Sequence, residues 1–412
     1  MRKFWSAYKL PSSDPEGLHP ALIDVLCLLG CLHGPTSLQP YEVIFYKRLN
    51  RSLHDSLANK DRLLDFIRAS GLAAVYCFAR SRVIEGQNRL AAITQFAVAC
   101  GLHKIDTHDF NAPNLNLFLL GRPRDLTALG DMIHAWWSLF CIDQLGAMVL
   151  EIPATLRCDD ESVTTIWPCS FEEYEGSGNA AFAPYSGFSS LRSLTPGPDA
   201  AIGAYRNVYA LRTKSCIMFY RGMRLASAFR EGTDVNHDAY VAITVASCLA
   251  EDIALYRRQK CPSFDRPSSP AKSDNLVHDS SLIFTISMSY GALIQLFHVF
   301  AGDFRSHRKR FDVARKCARF AAKICRVTPS SVNLATWLPW YSAYEVLAWH
   351  PIPFEMLGDG AAVAAARTDL DALTDAFKRF GRHYSLDFKN DRAFQRLGAL
   401  DTQCLSQISQ AQ

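Results

Sequence analysis

The stretch "AWWSLFCID", Ala135 to Asp143, puts two adjacent tryptophans in an uncharged run that closes on a carboxylate. Placed on a helical wheel at about 100° per residue, residues 131–150 gather Ile133, Trp136, Trp137, Phe140, Ala147 and Met148 on one broad side. Leu139 and Leu150 widen that side, and only a strip around Asp131, His134 and Ser138 stays mixed. A helix apolar around most of its circumference is buried, so its tryptophans are core packing. Asp143 falls inside the apolar side, near the angle of Trp136. A bare carboxylate there is expensive and must be paired or hydrogen-bonded. The preceding helix, about Ser81 to Cys100, carries Arg82 and Arg89 in the same sector as Leu90, Ile93, Phe96 and Ala97. The expectation is an internal ion pair, structural in role, between Asp143 and Arg89 or Arg82.

Helix signals dominate the rest of the chain. "HPALIDVLCLLGCLHGP" starts at Pro20, where a first turn tolerates proline, and stops at Gly34-Pro35. Further helices are expected over about Leu53–Ser70, Ser81–Cys100 with Gly101 as a left-handed cap, and Leu126–Leu150. Others follow in Ile202–Gln259, Leu282–Gly302, Arg305–Val327, Leu334–Ala348 and Ala362–Phe380. Strand-like alternation is nearly absent; "ESVTTIW" is the best short candidate. The expected fold is all-α, a large multi-helix orthogonal array with little or no strand. Loop composition at 176–201 and 261–280 suggests a division: a tail over 1–18, a helical domain over 19–260, an exposed Ser/Pro-rich loop over 261–280, and a C-terminal helical region over 281–412 packed on the first.

Bulk properties narrow the functional classes. A net charge of +4 over 412 residues does not announce a nucleic-acid binder. The 13 cysteines contain no C-x-x-C pair, which fits reduced core thiols of an intracellular protein and speaks against a structural zinc site. The N-terminus lacks the apolar run of a secretory signal. Residues 280–302 are uncharged and long enough for a bilayer, but the Ser281–Thr285–Ser289 stripe, Gln295 and His298 suit a buried helix better than lipid. No membrane partner is expected.

No catalytic constellation stands out, and the chain is not expected to be an enzyme. "HKIDTHDF" brings His103 and His108 near Asp106 and Asp109, at a spacing that fits no helical zinc motif. "RSHRKRFDVARKCARFAAKICR" holds nine Lys or Arg and one acid. Arg308, Lys309, Arg310, Arg315, Arg319 and Lys323 form a candidate basic patch: a solvated face, a nuclear-import signal or a phosphate-binding surface. Trp337, Trp340, Tyr341 and Tyr344 follow helical spacing and, with Trp349, read as packed core or interface, or as an aromatic small-molecule pocket.

Three blocks, in order, carry a resemblance. "HPALIDVLCLLGCLHG", "RVIEGQNRLAAITQFAVACGLHKID" and "DMIHAWWSLFCIDQLGAMVLEIPATL" resemble the regulatory, or middle-homology, domain of fungal zinc-cluster transcription factors. Gly101-Leu102-His103 matches that family's helix end, and Trp136, Trp137 and Asp143 its tryptophan block. Met132, Ile133 and His134 stand where the family has arginines, and Glu151-Ile152-Pro153 where it has a Gly-Arg-Pro turn. The resemblance, over about residues 15–260, implies transcriptional control in the nucleus through homo- or heterodimers, beside a separate six-cysteine module that binds zinc and reads DNA. This chain has no such cysteine pairs, so no cofactor is expected in it and DNA contact is indirect or weak. It reads as a regulatory domain without its DNA reader, or as part of a longer chain. The alternative is a stand-alone helical sensor of a small-molecule effector with no role on DNA.

Overall fold

Helix α6, Leu126–Leu150, starts and stops where local chemistry dictates. The Asp125 carboxylate caps it by accepting from the Ala128 N–H at 2.6 Å, and Glu151 ends it at φ +55°. Around it the computed structural model describes residues 2–11, 13–176, 207–260, 275–300, 302–327, 332–349 and 360–384. The helices preceding it are α1 (Arg2–Tyr8), α2 (Pro20–His33), α3 (Glu42–Asn59), α4 (Leu63–Ala79) and α5 (Val83–Ala99). Those following it are α7 (Phe171–Gly176), α8 (Val208–Arg230), α9 (Asn236–Lys260), α10 (Asn275–Val299), α11 (Phe304–Val327), α12 (Trp337–Trp349) and α13 (Gly360–Tyr384). The fold is all-α, with no strand among the described residues. "ESVTTIW" begins in a turn and then passes beside the end of α5, where Thr164 donates to the His103 carbonyl and Ile166 to that of Ile105, each at 2.8 Å.

Most expected helices lie within a few residues of their places, and Gly101 takes the left-handed cap at φ +86°. The helix expected over Leu53–Ser70 is two. Lys60 and Arg62 adopt φ +55° and +43°, and the Ser56 hydroxyl turns the chain by donating to the Asp61 carbonyl at 2.6 Å. Arg62 holds that corner by donating to the carbonyls of Asp14, Gly17 and Leu18. The expected tail contains α1, whose Phe4 and Ala7 pack on the α2–α4 core. The loop at 176–201, apart from Gly176, and residues 261–274 lie outside the described residues.

Three larger apolar cores follow from these elements, with a small fourth around Val235, Ala239 and Val299. The first joins α4, α5, α6, α8 and α10 around Trp136, Trp137, Phe140 and Phe219. The second joins α10 to α13 around Trp340, Phe311 and Phe380. The third seats α2 on α3 and α4 through Leu22, Leu28, Leu49 and Tyr76. Helix α10 serves two cores at once: Leu282, Phe284 and Met288 enter the first, and Ile283 and Ile294 the second. The division expected at 261–280 therefore does not separate two cores. Among the described residues, three helices are long and apolar enough to cross a bilayer: α6, α9 and Ser280–Val299 of α10. The last has 89% of its window buried inside the molecule, with α8, α11 and α12 packed around it.

Candidate functional site

The mixed strip of α6 faces a cavity. Asp131, His134, Ser138 and Ile142 recur at helical spacing and line one wall of a space of about 700 Å³. The other walls come from Leu22 and Leu26 of α2, Leu64, Ile67 and Leu72 of α4, and Phe4 of α1, with Leu119, Leu120 and Phe171 also in the lining. Ser138 is exposed in the middle of an otherwise buried helix because its side chain opens on this space. The volume lies in the range of small-molecule sites, which are mostly apolar with a few placed polar groups.

Those polar groups meet on the floor. Arg68 of α4 bridges to α6, its Nη2 lying 3.0 Å from Asp131 Oδ1 and donating at 3.2 Å to the Asp131 carbonyl. Its Nη1 reaches Asp65 at 3.5 Å, and the other Asp65 oxygen accepts from the His19 N–H at 2.9 Å. The other two guanidiniums of the lining are committed: Arg62 to both oxygens of Asp61 and to three carbonyls, Arg124 to Glu16 and Asp125.

One end of the cavity is aromatic. His134 stacks on Phe171 at 4.2 Å, and Tyr209 meets both rings edge-on at 5.1 and 5.6 Å. The His134 Nε2 lies 2.8 Å from the Cys169 carbonyl. A carbonyl only accepts, so Nε2 carries the proton and Nδ1 is the acceptor. Burial pushes His134 down to about 4 and His108, behind it, down to about 3. Both rings are neutral at pH 7. Burial also pushes the Cys169 thiol up, so it is no nucleophile at neutral pH. Tyr174 closes this end against Gly130 of α6, where a Cβ would stand 2.5 Å from the ring.

The buried carboxylate of Asp143 lies elsewhere, and its expected ion pair with Arg89 or Arg82 is not formed. Its two oxygens accept from the backbone N–H groups of Thr155 at 3.2 Å and Leu156 at 2.9 Å. Burial raises its pKa, against the opposing effect of these bonds. Helix α5 turns Arg82 and Arg89 the other way, onto α3. Arg89 donates to Glu85, Tyr46 and Asn50, and Arg82 to Tyr46 beside Glu85. Toward α6, α5 presents Gln87 and Leu90, next to Gly146.

The basic patch is also divided. Arg310 is buried and donates to the Ile294 carbonyl at 3.2 Å, with burial pushing it down to about 10. Arg315 and Arg319 clamp the two oxygens of Asp369 on α13 at 2.7 and 2.8 Å. Arg308, Lys309 and Lys323 are the exposed remainder, Lys309 lying 5.7 Å from the Phe297 ring centre. The six residues thus form no continuous cationic face, because half of them join helices.

The aromatic stretch is packing: Trp340 is fully buried, donates to Ser287 at 3.2 Å and meets Phe377 and Phe380 edge-on. The Trp349 side chain lies outside the described residues. Trp137 donates to the Ile166 carbonyl at 2.7 Å and stacks on Trp167 at 4.5 Å, with the Lys214 amine 5.2 Å from the Trp167 ring centre. His103, His108, Asp106 and Asp109 do not gather; Asp106 instead accepts from Asn114, and no metal-holding group occurs among the described residues. The sequence reading missed the cavity's second wall, although Asp65 and Arg68 in "LLDFIRASGLAAVYCFA" were a signal: two charges three apart in an apolar helix. Comparison with family models, with curated proteins and with solved structures returns no match.

Proposed function

We propose that this chain is a transcription regulator, the helical regulatory domain of a fungal zinc-cluster type of factor. It modulates transcription through homo- or heterodimer contacts with DNA-bound partners in the nucleus, binds no zinc itself and touches DNA at most weakly. The cavity is where a small-molecule effector enters. What supports the reading is the place of the three resembling blocks. They fall on α2, α5 and α6, helix α4 packs against all three, and the cavity opens between the first and third. A ligand there touches both blocks, so its binding energy can bias the arrangement of α2 and α6.

The test is expression of the tagged chain in a fungal cell, with imaging and affinity purification under crosslinking. Nuclear signal and recovery of zinc-cluster factors are expected. Protein confined to the cytosol, with no transcription factor recovered, overturns the reading. The cavity itself favours the second reading, a stand-alone effector sensor with no role on DNA, which that outcome together with ligand binding would support.

A further inference from the structure

We infer that the outer face of α9 pairs antiparallel with the same face of a second copy of this chain. This rests on the dimer contacts of the reading above and names the surface that makes them.

Helix α9 has the composition of a core helix, yet only 33% of its most apolar window is buried. Helices α8 and α10 pack on its inner side. No charged residue lies between Asp238 and Glu251, so the outer side is not the charged face of an ordinary surface helix. There Val241, Thr244, Cys248, Glu251, Leu255 and Arg258 recur in alternating steps of three and four, the spacing of a seam between two long helices. Leu255 is half-buried and the other five are exposed. Tyr240, which flanks them, is 70% exposed.

The charges at the two ends select the occupant. Glu231, Asp234 and Asp238 stand exposed at the start of α9, and Arg258 and Lys260 stand exposed at its end. A parallel partner would set acid on acid and base on base, whereas an antiparallel copy sets each acidic end on a basic one. Charge also chooses the register. A two-fold axis at residue 246 lays the seam on itself, with Thr244 facing the partner's Cys248 and Asp234 facing the partner's Arg258. Glu251 then lies beside the partner's Tyr240, whose hydroxyl can donate to it. Each of these pairs occurs twice. Sliding the copy by one heptad sets Glu251 against the partner's Asp234 in one direction and Arg258 against the partner's Val241 in the other. One helix pair is a small interface, so the dimer is a weak one.

The experiment is sedimentation equilibrium of the full chain, of Asp234→Arg, of Arg258→Glu, and of an equimolar mixture of the two variants. Both positions are exposed, and circular dichroism verifies that both variants fold. The unsubstituted chain is expected to dimerise with a Kd of about 1–50 μM. Each variant alone sets like charges together twice and should weaken the dimer at least about tenfold. In the mixture both contacts pair opposite charges again, so the dimer should return to within about threefold of the original. A chain that stays monomeric at about 200 μM overturns the inference. A dimer that both variants leave unchanged places the interface elsewhere and overturns it too. Weakening by each variant without recovery in the mixture overturns the antiparallel register. Nuclear signal with recovery of other zinc-cluster factors would leave the regulator reading standing in all three cases.

Discussion

The Asp143 carboxylate carries the most direct test of how α6 is held. In Asp143→Ala the Thr155 and Leu156 N–H groups lose their acceptors in a buried site. Each such loss costs about 1–3 kcal/mol. Removing the carboxylate also relieves the desolvation that raises its pKa, which offsets part of the loss. The net cost should be about 2–4 kcal/mol. Asp143→Asn retains one acceptor but sets an amide donor against the second N–H, so it should cost nearly as much. Because the folded-state pKa is raised above the ordinary 3.8, the stability this group adds is greatest below that value and declines as pH rises through the shifted pKa. The cost of Asp143→Ala should therefore shrink from pH 4 to pH 7. The assay is urea unfolding followed by tryptophan fluorescence, run as a double-mutant cycle with Arg89→Ala. Arg89 lies on the α3 side of α5, so the coupling should stay below about 0.5 kcal/mol. A coupling above about 1.5 kcal/mol would refute the backbone clamp and restore the ion pair.

Three more outcomes follow from the same geometry. His108 and His134 are neutral in the folded state and ordinary in the unfolded one, so their contribution is present above pH 6.5 and is lost as pH falls. Each should remove about 2 kcal/mol between pH 7.5 and 5.0; a urea midpoint that does not move over that window, or a slope unchanged in His108→Phe, contradicts their burial as neutral rings. Gly130→Ala places a methyl against the Tyr174 ring, which His108 and His134 confine on two sides, and should cost about 1–2 kcal/mol after the gain in helix propensity. Thermal unfolding checks this, and a Tyr174→Ala background should erase the penalty. Asp369→Asn loosens α13 from Arg315 and Arg319; with Arg319 mostly exposed the cost is about 1 kcal/mol, seen as faster tryptic cleavage within α13, and unchanged cleavage would argue against the clamp.

The fold was legible because most of these helices announce their own ends. Asp125 and the uncharged run to Leu150 bound α6 by capping and periodicity, which are local. The break at Lys60 carries no glycine or proline; the Ser56 hydroxyl turns the chain there, and Arg62 holds the corner by reaching carbonyls more than forty residues away. The helical wheel put Asp143 and Arg89 in matching sectors, but a wheel gives angle and not distance. It also omits loops, and the loop at Thr155 supplied the acceptor's partners. The basic run failed as a patch for the same reason: Asp369 lies fifty residues beyond Arg319. For the cavity, the α6 strip was visible as the only mixed face of a greasy helix. That it faces a cleft depends on where α2 and α4 pack, which no single helix encodes.

The stacked indoles of Trp137 and Trp167 have an optical consequence. Two transition dipoles 4.5 Å apart, with ring planes 21° from parallel, couple as excitons. The pair should add a two-signed band to the far-ultraviolet circular dichroism, on top of the helical signal, which Trp167→Phe would remove. Trp137 sits one residue beyond Trp136 and one turn from His134, on the helix whose other side lines the cavity. A shift of α6 by a fraction of an ångström would change the overlap of the two rings. The chain thus carries its own chromophore for the position of that helix, readable without any label.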